Sequence, residues 1–384
     1  MIEKDLLYEF STFYKKEPRI FSSPGRINLI GEHTDYNEGF VFPAAIDKKI
    51  YLAISPNGSS KCNLYSNTFA STFSFEISKR EKSGMGWPDY IIGVVDELIK
   101  AGHQLEGFDC VVGGDVPTGA GLSSSAALET CFAFALNEIN KLGLSRHDLA
   151  IISRDAENNF IGVKCGIMDQ YAALFGKKDE ALLLDCRNLE FENFKVDFED
   201  YRIVLVNSGV KHQLANSEYN VRREQCEKGL SQLKKMNPEI NSLRDVSSNL
   251  MLMYEKKLDP VIYKRCLYVA EENERAVSAA FDLANERFSS FGQKLFASHE
   301  GLKNDYEVSC QELDLLVELA KESKGIVGAR MMGGGFGGCT INVVESRYHD
   351  QFIKDIQKNF KKIAGTIPLV YNVSISGGTM EEFI

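Results

Sequence analysis

The chain has 384 residues, of which 44% are hydrophobic and 26% charged, and carries a formal net charge of −10. That length exceeds what one ordinary core holds and predicts two domains. The negative balance would repel a nucleic-acid backbone, and no Lys/Arg-rich run offsets it.

Leu6, Leu7, Phe10, Phe13 and Tyr14 recur at helical spacing and predict an amphipathic first helix. Strand-like runs follow: "INLI" at 27–30, "KIYLAIS" and "STFSFEIS". Residues 85–101 return to helical spacing through Ile91, Val94, Val95 and Leu98. "FDCVVGGD" reads as a strand, and a long helix is expected from Ser123, closed by Gly143 as C-cap. "SRHD" at 145–148 has capping-box spacing and opens a helix expected to run to about Phe160. Short strands, "ALLLDC" and "YRIVLVNSG", precede charged helical segments from 216 to about 321, and a Gly-rich loop at 333–338 leads into the strand "CTINVV". A texture change near 185–200 divides the chain into 1–190 and 191–384. Strands and helices without regular βαβ alternation imply an α+β fold.

Nine cysteines without a C-x-x-C pair argue against a disulfide framework and a zinc site and suit a reducing cytoplasm. "MIEKDLLYEF" lacks the basic-then-apolar order of a signal peptide, and no apolar run approaches the ~18 residues of a membrane helix. A cytoplasmic protein without a membrane partner is expected, monomeric by default.

Five stretches carry chemistry. "GAGLSSSAALE", 119–129, sets two glycines and three serines at a helix start, where unsatisfied N–H groups and the dipole favour phosphate oxygens. One serine would suffice as an N-cap; three exceed that need. Glu157 falls on or beside the apolar stripe of the next helix, so it either reaches solvent at the stripe's edge or holds a cation, with Ser125 as a second hard oxygen. Asp169, among Ile167, Met168, Tyr171 and Leu174, calls for a cation such as Arg26, acid/base work, or a plain turn-capping role. "GGGFGG" at 333–338 satisfies G-x-G-x-x-G, but a strand follows instead of the helix a dinucleotide site needs. "GRINLIGEHTDYN", 25–37, concentrates Arg26, Glu32, His33 and Asp35 between two apolar runs.

"PGRINLIGEHTDYNEGFVFPAAID", "GAGLSSSAALE" and "GARMMGGGFGGC" resemble, in order, the three signature motifs of the GHMP small-molecule kinases, and the first resembles the galactokinase signature in particular. "CGIMDQY", "SEYNVRREQCE" and "SHEGLKNDYEVSCQELD" are similar to further segments of that family. Met332 stands where many relatives carry a hydroxyl residue.

The resemblance implies a two-domain fold with its active site in the cleft between domains, and phosphorylation of the anomeric C1 hydroxyl of galactose by ATP with Mg²⁺. It assigns Asp169 as catalytic base, oriented by Arg26. Glu32, His33, Thr34, Asp35, Gly166, Asp169 and Tyr219 would bind the sugar. Ser66 and the loop Gly119, Ala120, Gly121, Leu122, Ser123, Ser124 and Ser125 would bind the nucleotide, and Ser125 with Glu157 would hold Mg²⁺. The alternatives are a kinase of N-acetylgalactosamine or another hexose, or a non-catalytic sugar and ATP sensor.

Overall fold

The structure, a computed structural model, describes residues 2–196, 198–210 and 215–383. The side chain of Ser217, which opens one of the quoted segments, lies outside the described residues, as do Met1 and Ile384. The strands are β1 (Arg19–Asn28), β2 (Phe40–Val41), β3 (Pro43–Pro56), β4 (Lys61–Ser66), β5 (Ser71–Glu76), β6 (Phe108–Gly114), β7 (Glu180–Asp185), β8 (Phe191–Lys195), β9 (Tyr201–Asn207), β10 (Ile326–Met331), β11 (Cys339–Glu345), β12 (Leu369–Val373) and β13 (Met380–Glu382). They form a six-stranded sheet in the order β13-β1-β3-β6-β4-β5, a four-stranded sheet β10-β11-β9-β12 and a three-stranded sheet β2-β7-β8. Among the described residues only the β4–β6 pair of strands is parallel.

Helix α1 (Ile2–Tyr14) covers one face of the large sheet, seating Leu6 and Phe10 against Ile20, Ala53 and Val111. The opposite face carries α2 (Trp87–Lys100), α3 (Ser124–Ile139), α4 (Arg146–Asp155) and α5 (Met168–Phe175), whose apolar sides meet Leu52, Ile54, Leu64 and Val112 in one core. The later half supplies α6 (Ala215–Met236), α7 (Ser248–Leu252), α8 (Pro260–Ala284), α9 (Phe288–Asn304), α10 (Gln311–Lys321) and α11 (His349–Ala364). Mixed helix and sheet agrees with the α+β expectation.

The periodic segments fall where their patterns place them, and their ends do not. Helix α3 stops at Ile139, with Asn140 as C-cap, and Gly143 takes its left-handed turn (φ 70°) three residues later. The Ser145/Asp148 capping box forms, but α4 ends at Asp155 and widens into a π-helical turn over Ala156–Ile161. Such a turn inserts a residue into the i→i−4 ladder and re-aims the side chains on it. β1 begins at Arg19 and ends at Asn28, so "INLI" straddles its end. Leu29 and Ile30 still exchange backbone bonds with Phe42 at 3.0 Å.

The expected cut at 190/191 runs through hydrogen-bonded structure. It separates β7 from its hairpin partner β8, and β13, from the far end of the chain, pairs with β1 in the first sheet. Thr379 is buried there against Ser23, with its hydroxyl 2.8 Å away. A second core joins Ile27, Ile30 and Phe42 to Ala276, Phe291 and Ile341, so apolar burial spans both halves. Composition could not reveal this return, because a three-residue strand leaves no periodic signal.

Candidate active site

The site begins with a slip in β1. The register with β3 shifts between Pro24 and Arg26, a β-bulge that re-aims the strand. Gly25 sits at the slip, where an added Cβ would lie 2.8 Å from the Leu122 carbonyl. Its absence lets β1 close on the 119–125 loop, and the Arg26 N–H donates to that carbonyl at 3.1 Å. The Arg26 guanidinium, 5% exposed, forks onto Asp169: Nε donates to Oδ1 at 2.7 Å and Nη2 to Oδ2 at 2.9 Å. Nη1 donates to the Gly121 carbonyl at 2.6 Å. Burial would lower the pKa of Arg26, but Asp169, Glu32 and Asp35 outweigh it and the net direction is up.

Asp169 stands in the first turn of α5, where the helix dipole favours a carboxylate. Ser123, at the N-cap position of α3, is held in the left-handed region (φ 54°) and makes no capping bond. Its hydroxyl donates to Asp169 Oδ2 instead. The 119–125 loop and the acid are thus one hydrogen-bonded unit.

A cavity of about 140 Å³ opens beside this pair. Glu32, His33, Asp35, Gly166 and Tyr219 line it with Arg26 and Asp169. Glu32 Oε2 accepts from Arg330 Nη1 and from the Gly333 N–H, both at 2.9 Å. His33 is buried with φ 62°, an unusual backbone state for a non-glycine residue, and burial pushes its pKa down to about 3, so the ring is neutral. Asp35 is raised to about 7, by burial first and the nearby Asp169 charge second. Gly166 is required by contact: a Cβ there would lie 1.9 Å from Asp35 Oδ2. Tyr219, from α6 in the later half, brings its ring to 5.2 Å from His33. Thr34 does not line this cavity: its buried hydroxyl lies 2.9 Å from the Gly31 carbonyl and 2.6 Å from that of Phe40, where it locks the turn.

On the other side of Arg26 lies a cavity of about 420 Å³ between the 119–125 loop and the Gly loop 333–338. Gly119, Gly121, Leu122, Ser123, Ser124 and Ser125 line it, while the Ala120 side chain is in the core. Arg26 is the one charged side chain on that wall among the described residues. Met332 is buried, and the Asn28 N–H points at its Sδ at 3.4 Å. Ser124 and Ser125 continue into a third, apolar cavity of about 350 Å³, where Ser66 borders Trp87, Tyr90 and Leu128. The Trp87 and Phe69 rings stack 6.3 Å apart at 10°, and Trp87 Nε1 donates to Ser71 Oγ at 3.1 Å. The three cavities share walls in turn, Ser124 and Ser125 between the apolar and the Gly-lined one and Arg26 and Gly334 between the Gly-lined and the polar one.

Glu157 stands on the π-turn at the edge of the polar cavity, 8% exposed. Burial, then the Asp169 charge, raise it to about 7 against hydrogen bonds from Cys165, Ser125 and Gln170. A buried carboxylate touching a serine hydroxyl and repelled by a second acid fits a hard divalent cation, whose charge relieves both penalties. Among the described residues there is no group of three His, Cys, Asp or Glu side chains arranged to hold a metal. A cation at Ser125 and Glu157 would therefore draw its remaining oxygens from substrate and water, the usual manner for Mg²⁺.

The sequence reading missed the scaffold behind these groups. Arg330, fully buried, ties the loop down through Glu32 and the Leu29 and Asn28 carbonyls. Glu272 accepts from the Gly31 and Glu32 N–H groups at 2.9 and 3.2 Å. Gln170 donates to Glu157 at 3.3 Å and faces Glu129, fully buried, at 3.5 Å. Arg330 and Glu129 lay inside quoted motifs, and a lone charge within an apolar run was the signal available. Glu272, in a charged helix, gave none.

Comparison with known proteins gives the family. The galactokinase galactose-binding signature matches residues 8–56, the GHMP kinase N-terminal domain 89–177 and the GHMP kinase C-terminal region 279–362. A galactokinase of Clostridium acetobutylicum is 41% identical over 377 residues, covering 96% of each chain. One from Chloroflexus aurantiacus is 42% identical, covering 90% of this chain and 91% of its own. The crystal structure of Lactococcus lactis galactokinase complexed with galactose superposes with a TM-score of 0.97 at 35% identity, over the whole of both chains. The Methanococcus jannaschii mevalonate kinase, at 17% identity and a TM-score of 0.67 over 94% of this chain and all of its own, shares the fold. With the signature, both domain models and full-length relatives in agreement, the chain belongs to the galactokinase family of the GHMP kinases.

Proposed function

We propose that the protein transfers the γ-phosphoryl group of ATP to the anomeric C1 hydroxyl of D-galactose, giving galactose 1-phosphate, the first committed step of galactose breakdown. One observation carries this reading: the Arg26–Asp169 pair stands where the polar cavity meets the Gly-lined one. The Clostridium acetobutylicum and Lactococcus lactis relatives support the choice of sugar.

Phosphoryl transfer asks a protein mainly for positioning and charge stabilisation. The apolar pocket beside Trp87 takes the base, with Ser66 at its wall, and the 119–125 loop takes the phosphates on its N–H groups and the α3 N-terminus. Glu32, Asp35 and His33 meet the sugar hydroxyls, and Tyr219 closes the pocket. Asp169 accepts the C1 hydroxyl proton as the oxygen attacks the γ-phosphorus. Arg26 holds the acid by its fork and balances charge on the transferring group. Ser123 releases or shares its bond to Asp169 when the C1 hydroxyl arrives. Ser125 and Glu157 would hold Mg²⁺, which would supply charge to offset that of the phosphates.

Coupled ADP release measured across galactose, N-acetylgalactosamine and glucose tests this reading. Galactose should drive turnover best, and equal or absent turnover on all three would overturn it.

A further inference from the structure

The elements that bring Arg26, the serine loop and Asp169 together meet again at a point that none of the roles above uses. Ser23 lies on β1 shortly before Arg26, and Thr130 lies on α3 beyond Ser125. The Ser23 hydroxyl lies 2.8 Å from that of Thr130 and 2.8 Å from that of Thr379, the residue before β13. Thr130 Oγ1 also lies 2.6 Å from the Ala126 carbonyl, and Thr379 Oγ1 lies 2.9 Å from the Ala173 carbonyl of α5. All three side chains are buried, Ser23 and Thr130 at 0% exposed and Thr379 at 1%.

The segment before β13 also closes the far end of α5. The last carbonyls of a helix have no partner inside it, and α5 has only 8 residues over which to hold its place. The Thr379 N–H donates to the Ala173 carbonyl and the Gly378 N–H to that of Gly176, both at 2.8 Å. Arg146 joins the two sides: Nη1 donates to the Leu174 carbonyl, and Nη2 to that of Thr379 at 2.8 Å. The approach requires glycine at 378, where a Cβ would lie 2.9 Å from the Ala173 and Leu174 carbonyls alike. Ala173 stands one helical turn after Asp169, so the segment grips the same short helix that carries the acid.

Apolar side chains can slide past one another, whereas a buried hydroxyl that leaves its partners is stranded away from water. We infer that Ser23, Thr130 and Thr379 form a buried hydroxyl clamp through which the 376–379 segment holds β1, α3 and α5 in the setting that joins Arg26 to Asp169 against the 119–125 loop. The three are positioning residues, and none lines the cavities proposed for sugar or nucleotide. Carbonyls only accept, so three hydroxyl protons are shared over the four contacts. Thr379→Val therefore strands no donor. Ser23 keeps Thr130, Thr130 keeps the Ala126 carbonyl, and the Ala173 carbonyl keeps the backbone N–H at 379. The variant cuts the hydroxyl link between the segment and β1 and leaves the rest of the cluster satisfied.

The catalytic consequence of the clamp rests on the proposed function, and the positioning itself does not. Hydrogen exchange of the Arg26 Nε–H, its signal assigned by its loss in Arg26→Lys, reads the Arg26–Asp169 fork without turnover. In Thr379→Val that exchange should quicken at least about tenfold, and kcat on galactose should fall about tenfold with both KM values within about twofold. Thr379→Ser keeps the hydroxyl and should hold both readings within about threefold of wild type. Ile356→Val loosens the separate core under α11 and should leave both readings unchanged; an equal change there would assign the effect to general loosening and overturn the clamp. Should Thr379→Val not fold, Ser23→Ala cuts the same link from the β1 side and faces the same measurements. Wild-type exchange at Arg26 in Thr379→Val overturns the clamp, as does Thr379→Ser matching Thr379→Val. Faster exchange with wild-type kcat overturns its catalytic consequence. If the wild type turns over no galactose while the exchange rates differ as stated, the functional reading fails and the clamp stands.

Discussion

Arg26 and Asp169 meet through two parallel hydrogen bonds of 2.7 and 2.9 Å across 143 residues of sequence. Bidentate guanidinium–carboxylate pairing fixes direction as well as distance. The acid's remaining freedom is taken up by Ser123, so a strand, a glycine-rich loop and a helix start are tied at one point. That point lies between the cavity proposed for sugar and the one proposed for phosphates.

Asp169→Asn should lower kcat about a thousandfold, since a positioned base contributes 10²–10⁴. ATP binding, read by titration calorimetry, should stay within a few-fold of wild type. Near-wild-type turnover would remove the base assignment.

Gly166→Ala places a methyl 1.9 Å from the present position of Asp35 Oδ2 and must displace that carboxylate. The KM for galactose should rise at least about tenfold, by the loss of one charge-assisted bond, with the ATP KM unchanged. Equal changes in both constants would point to general disruption.

Asp35 carries a signed pH effect. Its folded pKa of about 7 lies above the ordinary 3.8, so the fold favours the protonated form. Its contribution is full below about pH 4 and is lost as pH rises toward 7, where the folded protein holds a proton the unfolded chain has released. Asp35→Asn should therefore stabilise the unliganded protein at pH 8, on the order of 2 kcal/mol after allowing for the side chain's open face, and have little effect at pH 4. Denaturation midpoints at the two pH values check this, and a destabilised variant at pH 8 would contradict it.

Glu157→Ala should raise the Mg²⁺ concentration for half-maximal rate at least about tenfold. An unchanged Mg²⁺ titration would take Glu157 out of the metal site.

Much of this site was legible because its chemistry conflicts with its surroundings. Asp169 and Glu157 stood out as carboxylates on apolar faces, and three serines after glycines exceeded what a cap needs. Local patterns could not supply tertiary commitments. Thr34 enters the sugar set only through the resemblance, and its hydroxyl lies on the Gly31 and Phe40 carbonyls. Ser123, a cap or a phosphate contact by its place in the sequence, also bonds Asp169. The return of β13 to β1 depends on three residues and on pairing across the whole chain, which no periodicity encodes.

The central claim is that galactose presents its C1 oxygen to Asp169 while the nucleotide's terminal phosphate faces it from the 119–125 loop. A crystal structure with galactose and a non-hydrolysable ATP analogue measures this directly. The account predicts the C1 oxygen within hydrogen-bonding distance of Asp169 and the γ-phosphate on its far side. A sugar bound with C1 turned away from Asp169, or seated outside the cavity of Glu32, His33 and Asp35, would contradict it.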